Sequence, residues 1–325
     1  MLRFLLLSLA LAAGIAGAAE RHVATLSDPA GDDVGDGTLL YPTGGVLQPG
    51  DLDLRSLRIH RDGDGYWFTA TFGNFIHENW WSPKGDDAGE FSKQGQHRLP
   101  FGFNLDIYID TDRKSGSGNL FTLPGRQARI DRRYAWERVV VLSPRPKTMR
   151  SHLLGKLRET FPGRPEREAE ASIDGTMYFA AYRQKLDRSI SFFVPNAFLG
   201  DSDPTNWAVT AFVTVAAAVV DAKDLGVMQL TDEPSSSTLG HTSTTLPPPL
   251  IDVLLPTAAR QYKILSSALP LTGYSLANNA ATDDDGKYSA EAFISRLTGL
   301  KESLDRKLID ESTYKAQRQK ILNEL

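Results

Sequence analysis

The chain has 325 residues, with 36 Lys and Arg against 40 Asp and Glu, for a net charge of −4. That balance supplies no basic surface to neutralise phosphates, which argues against nucleic acid as a partner. Cysteine is absent, which excludes disulfides, thiolate metal sites and a cysteine nucleophile.

Residues 1–18 read as a signal peptide. Arg3 is a minimal positive start, residues 4–13 are apolar, and Ala16-Gly17-Ala18 fits a small-residue cleavage site that leaves Ala19 first. The apolar run is too short to span a bilayer, and no other stretch reads as a transmembrane helix. The expected location is secreted or periplasmic.

Just beyond lies Asp28-Pro29-Ala30-Gly31-Asp32-Asp33-Val34-Gly35-Asp36-Gly37, followed by Asp51-Leu52-Asp53. Carboxylates this close repel one another unless a cation, hydrogen bonds or protonation relieves them. Glycines let the backbone turn its carbonyls inward, and hard cations such as calcium take carboxylate and carbonyl oxygens. Asp28, Asp32, Asp33 and Asp36, joined by Asp51 and Asp53, are the metal candidates. A solvated acidic turn is the competing reading.

From about 22 to 230 the pattern is β. Residues 52–59 and 66–72 flank the turn signal Arg61-Asp62-Gly63-Asp64-Gly65 and predict a hairpin. Residues 101–110 alternate cleanly, with Phe101, Phe103, Leu105, Ile107 and Ile109 on one face and Asn104, Asp106, Tyr108 and Asp110 on the other. Further strands are predicted at 136–142, 176–182, 188–194 and 207–219, with an insertion over 147–170 that carries a short helix at 151–160. Many short strands separated by turns predict a mainly β, antiparallel sandwich. Residues 231–286, with Ser235-Ser236-Ser237-Thr238 and Pro247-Pro248-Pro249, read as a linker, although 251–269 carry enough apolar residues to dock back. Helical spacing over 287–325 predicts a C-terminal helical hairpin.

Catalysis finds little support. Asp106 and Asp110 share a strand face roughly 13 Å apart, too far for the usual glycosidase pair. The six histidines show no zinc-ligand spacing. Aromatic rings that stack on sugars are the better signal. Trp80 and Trp81 are adjacent in a loop where both cannot be hidden, and Tyr108 is the third ligand-binding candidate. Trp67, Trp136 and Trp207 lie in strands and read as core.

The acidic stretch opens a longer pattern. Together with Tyr41-Pro42, Gly50-Asp51-Leu52-Asp53-Leu54, Asn79-Trp80, Phe91-Ser92-x-Gln94, Asp106-Ile107-Tyr108-Ile109-Asp110, Leu123-Pro124-Gly125-Arg126-Gln127-Ala128, Trp136 and Trp207, it resembles the glucodextranase C-terminal module. That module is similar to the DOMON-like sandwiches, which include the ninth family of carbohydrate-binding modules. The resemblance implies a jelly-roll-like sandwich over 22–230, a glycan-binding or cell-surface role, and a structural calcium. Leu297-x-x-Leu300-Lys301 through Asp310 and Tyr314 to Ile321-Leu322 resembles the short SHOCT domain, which implies oligomerisation or tethering. The combined reading is an exported, non-catalytic module that binds a polysaccharide or cell-envelope glycan, with a tail that tethers it or makes a homo-oligomer. A scaffolding envelope protein whose sandwich binds another protein is the alternative.

Overall fold

Two kinds of strand build the molecule, and their burial separates them. In the computed structural model, residues 21–77, 100–114, 116–279, 301, 304 and 311–322 are described. Strands β1 (Arg21–Ser27), β3 (Leu54–Asp62), β4 (Gly65–Phe72), β9 (Ser189–Pro195) and β8 (Tyr182–Leu186) form one antiparallel sheet in the order β1-β3-β4-β9-β8. Along β4 and β9 every second residue is buried and its neighbours are half-buried. This is the pattern of a sheet with one covered face. The predicted hairpin is present, with Asp62 opposite Gly65 across a two-residue turn. A register shift between Leu54 and Ser56 accounts for the imperfect alternation there.

The second sheet runs β12 (Asp252–Val253), β10 (Ala208–Val215), β5 (Phe103–Asp110), β6 (Arg138–Leu142), β7 (Met177–Ala180), and β13 (Tyr274–Ser275) also pairs with β10. β6 and β7 are parallel, and a parallel pair needs a long crossover. Helices α1 (Pro146–Thr160) and α2 (Glu166–Asp174) provide it, so the insertion between strands holds a longer first helix than expected and a second helix besides. β5 and β10 are buried at every position. Between the sheets lies the main core, which includes Leu26, Phe68, Phe72, Phe103, Phe192 and Trp207. Burying each such side chain contributes about 1.5–3 kcal/mol.

A second apolar cluster covers the outer face of β5 and β10. It joins Tyr108, Trp136, Phe212, Leu255, Ile264 and Leu271, with Ile264 on helix α4 (Ala258–Ser266). Short helices α3 (Asn196–Leu199) and α5 (Leu276–Asn279) close the strand ends, and β2 (Leu39–Leu40) pairs with β11 (Gly240–His241).

Two expectations are corrected by this covering layer. The 231–286 segment, read as a linker that docks back only over 251–269, supplies β11, β12, α4 and β13 to the fold. Tyr108 is 1% exposed, because that layer hides the polar face of β5. Of the predicted C-terminal hairpin, the described part is α6 (Glu311–Leu322) with positions 301 and 304. The rest of the hairpin and the signal peptide lie outside the described residues. Among the described residues no helix is long and apolar enough to cross a membrane.

Candidate functional site

The acidic stretch meets the chain's far end in a buried cluster. Gly31, at φ 77°, makes a turn open chiefly to glycine, and its N–H donates to Asp53 Oδ2 at 3.0 Å. Asp28 Oδ1 accepts the Leu255 N–H at 2.6 Å, and Asp252 Oδ2 accepts the Leu54 N–H at 2.6 Å. Carboxylate oxygens of Asp28, Asp32 and Asp252 lie within 4.8 Å of one another. Gln261, fully buried on α4, fixes the loop around them. Its amide donates to the Asp32 carbonyl at 2.5 Å and the Gly35 carbonyl at 3.1 Å, while its oxygen accepts the Val253 N–H at 2.7 Å.

What these bonds omit matters more. Asp28 Oδ2, both oxygens of Asp32, Asp53 Oδ1 and Asp252 Oδ1 are buried and have no hydrogen-bond partner among the described residues. A buried carboxylate without a partner is costly. Burial and then Asp53 push the Asp32 carboxyl up to about 8. Burial raises Asp53 to about 6, although Arg55 opposes it with an ion pair of 2.9 Å. Burial raises Asp28 and Asp252 as well, with Asp252 repelling Asp28 and Asp32 repelling Asp252. Three carboxylates that each bring an oxygen within 4.8 Å of the others, with unpartnered oxygens among them, suit a hard divalent cation, calcium above all, or shared protons in its place.

The other predicted metal ligands do different work. Asp33 Oδ2 accepts from the Tyr41 hydroxyl and from the Gly50 N–H at 2.7 Å. Asp36 Oδ1 accepts the Thr38 N–H at 3.0 Å and hydroxyl at 2.6 Å. Asp51 accepts from the Gln48 N–H and the Asn74 amide. These three aspartates shape turns, whereas Asp28 and Asp32 converge with Asp252, and Asp53 stands near enough to repel Asp32. Asp252 and Gln261 were missed by the sequence reading. Their one sequence signal is a lone aspartate inside the apolar run Leu250-Ile251-Asp252-Val253-Leu254-Leu255.

A second acidic group, Asp110, Asp112 and Glu137, contrasts with the first. Asp110 Oδ1 accepts the Asp112 and Arg113 N–H groups, Asp112 Oδ1 the Lys114 N–H and Ser117 hydroxyl, and Glu137 Oε2 the Thr111 N–H. Asp106 is held by the buried Arg126 guanidinium at 2.7 and 3.1 Å. The Tyr108 hydroxyl donates to Asp106 and accepts the Leu123 N–H, so Tyr108 braces the interior and is shut off from any external ligand. Trp80 and Trp81 lie outside the described residues. Trp136 and Trp207 are buried as expected, while Trp67 is half-buried on the open face of the first sheet. A cleft of about 430 Å³ opens between the 121–129 loop and α4, with the Phe121 ring 64% exposed at its mouth.

No curated protein matches this chain. The model of one family matches residues 23–277, a span that takes in both sheets, the buried cluster and helix α4. The chain therefore belongs to the family described as the SLH-like C-terminal binding module of glucodextranase.

Proposed function

We propose that this is an exported, non-catalytic module that binds a carbohydrate of an extracellular or envelope polymer, and that a calcium ion held by Asp28, Asp32, Asp53 and Asp252 fastens its first loop to β12. The family match to a binding module carries the functional half. Export rests on the apolar leader and its small-residue cleavage site, and an intact mass starting at Ala19 checks it. The C-terminal hairpin is assigned a tethering or self-associating role on its resemblance alone, and sedentary monomers by light scattering would remove the second of these.

Carbohydrate binding is tested by migration of the purified protein in gels that contain neutral or acidic polysaccharides. Retardation with no release of reducing ends supports a non-catalytic module; free migration in every gel overturns carbohydrate binding and favours a protein partner. The calcium half rests on the five unpartnered oxygens. A ligand at a hundred times its Kd stabilises the folded state by about 2.7 kcal/mol, or roughly 5–10 °C for a domain of this size. Chelator is expected to lower the melting temperature by about that much and calcium to restore it. Equal melting with either reagent overturns the ion.

A further inference from the structure

The open face of the first sheet carries three rows of side chains that run across its strands. The first row is aromatic. His22 pairs with His60, His60 with Trp67, and Trp67 with Phe193. The imidazoles meet edge to face at 5.2 Å and the Trp67 and Phe193 rings at 5.5 Å. Four strands at ordinary spacing make this row roughly 14 Å long. The second row is Thr25, Arg58, Thr69, Ser191 and Gln184, and the third is Ser27, Ser56, Thr71, Ser189 and Leu186. Thr69 and Ser191 share a hydrogen bond of 2.9 Å, and Thr71 and Ser189 one of 3.1 Å. Each hydroxyl pair still has acceptor capacity to offer.

We infer that this face is the carbohydrate site, and that its occupant is an extended, neutral polysaccharide lying along the aromatic row with its hydroxyls over the Thr and Ser rows. This deepens the proposed carbohydrate binding and rests on it. Three observations favour that occupant. Trp67 is held in place, because its indole N–H donates to Asp62 Oδ2 at 3.0 Å; a fixed ring loses little entropy when a sugar stacks on it. The three rows themselves are also almost without charge, although Arg21, Arg61 and Arg183 are exposed on the same strands. Arg58 is the one formal charge in the three rows, with Asp62 at the turn beside them. An acidic polymer needs a more cationic surface, and a protein interface a broader apolar centre. Finally, a flat row suits a chain that passes over it, whereas an end-on sugar needs a pocket.

The test uses the full mature chain in gels containing dextran, laminarin or alginate, with melting curves for every variant. Trp67→Ala and Phe193→Ala are expected to weaken binding of the neutral glucan by about tenfold or more, equivalent to 1.4 kcal/mol. Trp67→Phe is expected to keep most of the binding, and Phe121→Ala, at the distant cleft, to keep all of it. Ser191→Lys changes one half-buried surface position and is expected to block binding while the protein melts normally. That variant decides the matter if Trp67→Ala fails to fold. Full binding by Phe193→Ala and Ser191→Lys overturns this face but leaves carbohydrate binding standing. Retardation of the wild type by alginate alone overturns the neutral occupant. Free migration of the wild type in all three gels overturns both this site and the carbohydrate reading.

Discussion

Asp32 shows most directly how a carboxylate out of water sets the behaviour of the domain. Its carboxyl is raised to about 8 and that of Asp53 to about 6, against about 4 in an unfolded chain. Both folded values lie above the unfolded one. The metal-free folded state thus keeps protons that the unfolded state has released between about pH 4 and pH 8. Stability falls across that window, and what the protons contribute is fully present below it. A calcium ion bound in place of the protons would flatten that slope. Metal-free protein is expected to melt several degrees lower at pH 8 than at pH 5, and calcium to close most of that gap. Asp32→Asn removes one of the repelling charges and gives its neighbours an amide donor. It is expected to raise the metal-free melting temperature at pH 8 by about 5 °C and to abolish the response to calcium. A lower melting temperature together with an intact calcium response would be incompatible with the cluster as an ion site.

At the scale of elements, α4 is the clamp. Gln261 makes three buried hydrogen bonds that join β12, the Asp32 carbonyl and the Gly35 carbonyl. Gln261→Ala leaves two carbonyls and an N–H without partners, at about 1–3 kcal/mol for each buried group. Gln261→Glu keeps the acceptor, loses the donor and adds charge beside the aspartates. Urea unfolding is expected to show about 3 kcal/mol or more lost in the first variant and a larger loss in the second. Equal losses would mean that the added charge does not reach the aspartates. Sequence made the strands readable where their periodicity is set by one covered face, as in the hairpin of β3 and β4. It misled where a second layer covers the other face. Asp106 and Tyr108 alternate like solvent-facing residues, yet Arg126 and the 250–271 segment bury them. Three of the four aspartates of the acidic site were legible in the sequence. Asp28, Asp32 and Asp53 stand in two neighbouring acidic runs, whereas Asp252 joins through a hydrogen bond to Leu54 across 198 residues, and a lone aspartate in an apolar run does not name that partner.

For the whole molecule, that long-range closure decides where the domain ends. A boundary near residue 230 follows from the Ser, Thr and Pro content of the next segment, but β10 pairs with β12 and β13 beyond it. The same cut removes Asp252, Gln261 and the apolar residues Ile251, Leu254 and Leu276, all of them fully buried. It would expose the edge of β10 and the outer face of β5, a long apolar surface with unpaired backbone groups. Loss of those three core side chains alone removes about 5–9 kcal/mol, comparable with the whole stability of an ordinary domain. A fragment of residues 19–230 is therefore expected to be aggregated or rapidly digested by protease, whereas residues 19–279 should melt in one cooperative, calcium-dependent transition. Calorimetry and limited proteolysis of the two fragments side by side check this. A cooperative transition in the shorter fragment, at the temperature of the longer one, would make the segment after residue 230 an accessory to the sandwich.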